Sequence, residues 1–355
     1  MEKLKFKDMP YERPDLEAAC ARIDGLTARL KAARSYAEAK AAFLEREDLE
    51  KEIDTLSNLV FIRHSIDTRD AFYEAEQEFW NENLPLLQAP KQAWTYAMLE
   101  SPFRPDFEAE YGDLMFLNAE IEARAFSEAI IPELQAENKL ATEYAKLIAS
   151  AQIPFQGSTY TLSQLMPFKT DADDAVRLAA WKAEGSWYKE HQADLDRIYD
   201  ELTHLRDTMG RKLGHDGYTP LGYDRMQRNC YAKEDIEKFR SAVVSYLVPL
   251  CDEIYRAQAK RLGVAYPLSF ADAALMFRSG NPRPQGTSDD IIANGKRFYD
   301  ELSPETSEFF NVMLDQELMD VLSTEGKESG GYCTGLLAYE VPFIFANFNG
   351  TQGDV

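Results

Sequence analysis

A hydrophobic period of about 3.6 residues, sustained through the N-terminal part of the chain, constrains the fold more than any other feature. Leu16, Ile23, Leu26 and Leu30 recur at helical steps, and Leu49, Ile53, Leu56 and Val60 repeat the pattern. Such spacing lays one apolar stripe along a helix. Asp15 after Pro14 predicts a helix start, and the polar Asp67-Thr68-Arg69-Asp70 predicts a short link. The stretch to about Leu87 therefore reads as an antiparallel helical hairpin or arm, with a second helical block from about Lys91 to Ser150.

The period changes at Ile153-Pro154-Phe155-Gln156-Gly157, where Gly157 supplies the turn of a short β-hairpin running to Leu162. Asp171 to Leu213 reads as one helix with Leu195, Ile198, Leu202, Leu205 and Met209 on one face, ending near Gly214. A further helix starts near Asp235 and continues towards Gly263; Pro249 is expected to bend it or to join two helices. Arg278 to Gly286 is a loop, and helix resumes from Ser288 to about Leu322. Alternating apolar residues around Gly330-Gly331-Tyr332-Cys333-Thr334 and Phe343-Ile344-Phe345 then predict a terminal two-stranded hairpin. The expected fold class is mainly α. It is a multi-helix N-terminal region with a small β-hairpin, leading to a C-terminal edge-strand hairpin. The divisions expected are 1–150, 151–205 and 206–355.

Composition serves mainly to exclude. With 355 residues, 45% hydrophobic and 28% charged, the chain is of soluble globular type and has no apolar run of membrane-spanning length. Met1 to Phe6 lacks the apolar stretch of a signal peptide, so a cytoplasmic location is expected. A formal net charge of −22 repels nucleic acid and anionic membranes, so neither is expected as a partner. Cys20, Cys230, Cys251 and Cys333 are far apart and read as free thiols of the kind often found buried. His64, His191, His204 and His215 form no H-E-x-x-H and read as ordinary helix-surface or capping residues. His204 and His215, were one helix to span both, would lie about 16 Å apart along its axis, too far for one metal. No phosphate loop, dinucleotide fingerprint or nucleophile elbow is present. The chain itself therefore offers no catalytic and no metal-binding residue.

The terminal strands carry what functional signal there is. Glycines opening a strand mark a bulge or a close approach of another backbone. At a sheet edge, the free N–H and C=O groups of such a strand can pair with an extended peptide.

Lys327, Gly330, Gly331, Tyr332, Cys333 and Thr334, followed by Pro342, Phe343, Ile344, Phe345, Asn347, Phe348, Gly350 and Thr351, carry a specific resemblance. They resemble the strand pair that leads into the zinc helix of the oligoendopeptidase F and thimet oligopeptidase family of zinc metallopeptidases. Ile153 to Gly157 with Tyr160-Thr161-Leu162, Arg206 to Met209 with Lys212-Leu213-Gly214, and Leu221 to Met226 are also similar to segments of that family. Ala271-Asp272 departs from it, standing where the family usually has Tyr-Asp.

The resemblance implies a mostly helical protein with a deep channel between two halves. A zinc ion at the channel floor would be held by the two histidines of H-E-x-x-H and a downstream glutamate, with the motif's own glutamate as general base. Residue by residue, Gly330, Gly331, Tyr332 and Cys333 would form the substrate-binding edge strand, with Asn347 and Phe348 on the inner strand supporting it. Because H-E-x-x-H is missing, the chain is expected to be the N-terminal portion of a cytosolic zinc-dependent oligoendopeptidase. It would stop within the first part of a zincin-like helical catalytic domain, supplying channel wall and docking strand for short peptides. Alone it is expected to bind no zinc and to be inactive, with the remaining catalytic half present in cis or as a second chain. The alternatives are a non-catalytic helical peptide-binding protein, for which Gly331→Pro should weaken peptide binding, and a vestigial fragment. Cys333 is expected to be a packed or redox-sensitive thiol and not a nucleophile. A stop at Val355 is expected to leave Phe343, Phe345 and Phe348 partly exposed. At ~25 cal/mol per Å², uncovering about 300 Å² of them would forgo about 7 kcal/mol.

Overall fold

Asp15 accepts a hydrogen bond from the Ala18 N–H and opens helix α1 (Leu16–Ala32), at the position the sequence predicts. Ser35 does the same for the Glu38 N–H at the head of α2 (Tyr36–Ile66), and Asp70 for the Phe72 and Tyr73 N–H groups of α3 (Ala71–Asn83). The computed structural model describes residues 4–354. In it α4 (Gln88–Leu99), α5 (Arg104–Tyr111), α6 (Leu114–Arg124) and α7 (Ile131–Ala149) complete the N-terminal block. Ile23, Leu26 and Leu30 of α1 and Leu49, Ile53 and Val60 of α2 meet Trp80, Trp94 and Phe107 in one core. The first helices are thus packed into a common block and do not stand apart as an arm. The 31 residues of α2 extend about 46 Å at 1.5 Å per residue. Its C-terminal end accordingly reaches a second core.

Strands β1 (Ile153–Phe155) and β2 (Ser158–Tyr160) form the expected antiparallel hairpin. Gln156 and Gly157, at φ 47° and 82°, make the mirror-image turn that matches strand twist. The hairpin packs its apolar side against α9 (Asp174–Glu190), after the short α8 (Met166–Lys169). The single helix expected from Asp171 to Leu213 is in fact two, α9 and α10 (Gln192–Lys212). The chain breaks at His191, whose ring stacks on Trp187 at 4.3 Å. Next comes α11 (Thr219–Arg225).

Helices α12 (Lys233–Ala242) and α13 (Val248–Leu262) are continuous through one π turn, Val243–Leu247. Pro249 lies just beyond it. A proline has no N–H to give and its ring crowds the carbonyl four residues back, so a wider turn absorbs what would otherwise break the helix. The segment from Arg278 to Gly286 is irregular, as expected, and lies between α14 (Phe270–Ala273) and α15 (Ser288–Leu302). Among the described residues no helix is long and apolar enough to cross a membrane.

Helix does not continue to Leu322. It stops with α16 (Pro304–Asp315); Glu317, at φ 53°, turns the chain, and Met319–Leu322 is strand β3. A four-residue strand is too short to display a period of its own. With β4 (Tyr332–Leu336) and β5 (Val341–Phe348) it makes a three-stranded sheet in the order β3-β5-β4, parallel between β3 and β5 and antiparallel between β5 and β4. The predicted hairpin is thus two-thirds of a mixed sheet.

Leu336, Phe343 and Phe345 of this sheet pack against Leu59 and Ile62 of α2 and against Phe6 and Met9. The Phe6 and Phe343 rings lie 4.3 Å apart. Phe343 and Phe345 are each only 1% exposed, which overturns the expectation that they would be uncovered. Phe348 is half-buried. Their cover comes from the other end of the chain, where a local reading does not look.

Candidate functional site

Strand β4 lies at the sheet edge. Its pairs Tyr332–Phe345, Thr334–Phe343 and Leu336–Val341 share the core-facing side. Tyr332 stacks on Phe345 with centroids 4.7 Å apart, and burial pushes its phenol well above the ordinary tyrosine range. By alternation Gly331, Cys333 and Gly335 occupy the opposite face, where the Leu337 side chain lies over Gly335.

The register also decides which main-chain groups are free. Ile344, opposite Cys333, donates its N–H towards β3, to the Leu318 carbonyl at 3.0 Å. Antiparallel partners alternate between bonded and non-bonded pairs, so Cys333 and Ile344 form a non-bonded pair and the N–H and C=O of Cys333 point out of the sheet. Gly335, two residues on, points the same way: its carbonyl accepts from Asn58 Nδ2 of α2 at 2.9 Å. The Ala338 N–H donates to Thr55 Oγ1 of the same helix, also at 2.9 Å. Helix α2 therefore closes the edge from Gly335 onward and leaves the end at Gly331 and Cys333 open.

The turn before this edge is fixed from beneath. Gly330 sits at φ 91°, a conformation that favours glycine, and a Cβ on Gly331 would lie 3.0 Å from the Phe345 carbonyl oxygen. Asn347 Nδ2 donates to the carbonyls of Glu328 and Gly330, each at 2.8 Å. Glu328 in turn donates its N–H to the Ser65 carbonyl of α2 at 2.9 Å. Lys327 has no exposed side-chain surface. It pairs with the Asp320 carboxylate and donates to the carbonyls of Leu322 at 2.8 Å and Ala346 at 2.7 Å. Burial holds its ammonium below the ordinary lysine range although Asp320 pulls the other way.

The residues singled out from sequence fall into three groups. Tyr332 and Cys333 lie in β4, while Gly330 and Gly331 precede its first residue and shape the turn into it. Asn347 is at the end of the central strand and acts by pinning that turn. Phe348 pairs with Leu322 on the far side, away from the open edge. Sequence reasoning missed Asn58, which carries no local mark and acts over 277 residues. It noted Lys327 only as part of a motif; the signal available was a lone lysine just ahead of a glycine pair between two strands.

Several expectations are corrected. Cys333, Cys230 and Cys251 are exposed, while Cys20 is half-buried and packs against the N-terminal core. His64 is no surface residue: it is 1% exposed in α2, with ring nitrogens 3.4 Å from Glu74 and 3.7 Å from Glu328. His215 lies past the end of α10 at Lys212, so no helix joins it to His204. Among the described residues no three His, Cys, Asp or Glu side chains are placed to hold a metal ion. The zinc that the resemblance implies thus fits no set of residues here.

Residues 6–126 match the family model of the Peptidase M3 N-terminal domain. Among solved structures, Pz peptidase A with an inhibitor is 40% identical, with a TM-score of 0.96 over 99% of this chain and 62% of its own. A protein assigned as an oligoendopeptidase F from Bacillus anthracis strain Ames is 41% identical, with a TM-score of 0.97 over 99% of this chain and 64% of its own. A further structure assigned as oligoendopeptidase F gives 41% and 0.96, again over 99% of this chain and 62% of its own. No curated protein matches. The chain spans less than two-thirds of the length of these structures.

Proposed function

We propose, for a chain that belongs to the oligoendopeptidase F family of M3 peptidases and spans its N-terminal region, a role as the wall and docking strand of a zinc-dependent oligoendopeptidase acting on short peptides. The observation that carries this reading is the open end of β4. The outward N–H and C=O of Cys333 are taken by no other described residue, while α2 closes the strand beyond Gly335. An extended peptide laid along this edge would add a fourth strand and be held through its main chain. Recognition of that kind is tolerant of side chains, as a peptidase of broad specificity needs.

Zinc, bound in the complete protein, would supply an activated water for hydrolysis. Since the described residues do not fit the metal, its ligands and the general base are assigned to the part of the family's length that this chain does not span. The chain's own residues bind and orient the peptide. They carry out no bond cleavage, so the chain alone should bind peptide without hydrolysing it.

The test is a titration of a short unstructured peptide against the wild-type chain, Cys333→Ala and Cys333→Pro. Proline is tolerated at an edge position whose N–H faces outward, so the fold is kept while the outward donor is removed. Losing one hydrogen bond of about 1 kcal/mol should weaken binding ~5-fold in Cys333→Pro and leave Cys333→Ala unchanged. Equal affinity in all three chains would rule out docking at this edge.

A further inference from the structure

A buried histidine faces the turn into β4, between two carboxylates from distant parts of the chain. His64 of α2 is 1% exposed; its Nε2 lies 3.4 Å from Glu74 Oε2 of α3, and its Nδ1 lies 3.7 Å from Glu328 Oε1. A neutral imidazole has one N–H and one lone pair, so it serves one carboxylate and turns its lone pair towards the other. Only the imidazolium donates on both sides. The two carboxylates are not equivalent. Glu74 has a second cation, Lys146 of α7, on its other oxygen. Burial pushes Glu74 up, but the bonds from Lys146 and His64 more than offset this and leave it below the ordinary glutamate range. Glu328 is 17% exposed and, among the described residues, has no cationic partner besides His64. Its neighbour Lys327 is engaged elsewhere, by Asp320 and by the Leu322 and Ala346 carbonyls.

Glu328 is also where the turn is tied down. Its N–H donates to the carbonyl of Ser65, the residue after His64, and its carbonyl accepts from Asn347 Nδ2. Gly330 and Gly331 are carried to the open edge from this point. We infer that His64 is a positioning residue for the docking edge: as an imidazolium it holds the Glu328 carboxylate against α2 and fixes the turn ahead of Gly331 and Cys333. Losing the proton leaves Glu328 without its partner and loosens that turn. The consequence for peptide rests on the reading of β4 as a docking strand; the tie between His64 and Glu328 does not. The other charged groups on the elements packed here are Glu74 and Lys146, Lys327 with Asp320, the Tyr332 phenol, and Arg63 of α2. Arg63 is engaged by the Phe6 and Met9 carbonyls and the Tyr73 hydroxyl. An imidazole is the side chain whose charge ordinarily changes between about pH 5 and 8. A dependence in that window that vanishes with the ring or with Glu328 therefore reports this pair.

The experiment makes two measurements at about pH 6 and about pH 8 on the 355-residue chain, His64→Gln and Glu328→Gln. One is affinity for a short unstructured peptide. The other, without peptide, is exchange protection of the Glu328 amide relative to its unstructured rate at each pH, with the Ile344 amide, held by the Leu318 carbonyl, as reference. Wild type should bind peptide ~10-fold more tightly and protect Glu328 ~10-fold more at the lower pH, the scale of one charge-assisted bond. In both variants the two pH values should agree within ~2-fold, since one side of the charged pair is gone. Glu328→Gln leaves the buried ring in place and keeps the comparison open should His64→Gln not fold. Wild-type protection of Glu328 that is equal at both pH values would overturn the inference, as would a pH dependence that persists in Glu328→Gln. Peptide bound equally at both pH values while the turn responds would sink the role in docking. Absence of peptide binding at either pH would instead sink the docking strand, and Glu328 protection would then decide the His64 tie by itself.

Discussion

The C-terminal sheet and the α12–α15 region lie close in sequence and are both rich in apolar residues, yet the chain treats them in opposite ways. Phe343 and Phe345 are covered by Leu59 and Ile62 of α2 and by Phe6, residues at the far end of the chain. Tyr246, Leu250 and Ile254 meet nothing of the kind. The base of α13 and its adjoining loop are anchored by buried Leu262 and Leu275 and by a set of polar contacts. Buried Arg177 of α9 donates to the Ala271 carbonyl at 2.9 Å and pairs with Asp272 at 2.5 Å and Asp174 at 2.7 Å. Gln258 donates to the carbonyls of Ala273 and Leu275 at 3.0 and 2.7 Å. An apolar pattern announces that a surface will be covered; only the partner decides whether this chain does the covering.

The largest expected effect lies in the contrast itself. Phe343→Ala should cost about 3–5 kcal/mol of unfolding free energy by emptying a filled core site. Tyr246→Ala should change the stability of this chain by less than about 0.5 kcal/mol. Urea unfolding of both variants checks this, and similar losses would erase the distinction between the regions.

Arg177→Met sharpens the contrast by removing the polar joint. It strips partners from the Ala271 carbonyl and from Asp272, at a cost of about 2–3 kcal/mol that should be local. Hydrogen exchange should speed up from Gln258 to Leu275 while the amides of β5 remain as slow as before. Loss of protection in β5 as well would mean that the two regions share one cooperative unit.

A third joint, between α7, α10 and α11, is polar but well covered, and it should respond to pH. Glu137 is pushed up by burial, yet hydrogen bonds from Arg225 at 2.8 Å and Arg206 at 2.7 Å more than offset this and leave it below the ordinary glutamate range. A carboxylate with a depressed folded value contributes stability above its unfolded value of 4.5, and that stability is lost as pH falls through the folded value. Glu137→Gln should therefore cost ~2 kcal/mol at neutral pH, the scale of charge-assisted hydrogen bonds, and almost nothing in strong acid. A cost that stayed constant with pH would show that the pair does not act through charge.

What could be read from sequence follows the range of the interaction. The Asp15 cap and the Gly157 turn depend on neighbours a few residues away, and both stand where the sequence puts them. The break at His191 and the strand Met319–Leu322 left no local period and were read as helix. The cover over Phe343 and the Asn58 bond to Gly335 join residues more than 270 positions apart, where no periodicity reaches. At the candidate site the motif pointed to Gly330, Gly331 and Cys333. It did not reveal which of their main-chain groups face outward, because that is set by register with β5 and by the bond from Ile344 to β3.

The most direct test of the docking edge is residue-resolved amide hydrogen exchange on β4, with and without a saturating short peptide. In the free chain Cys333 should exchange rapidly while Thr334, bonded to Phe343 in the ladder, exchanges slowly. Peptide should slow Cys333 by at least ~10-fold and leave Thr334 unchanged, an alternation that only strand addition produces. Bound peptide with Cys333 still exchanging at its free rate would contradict the account.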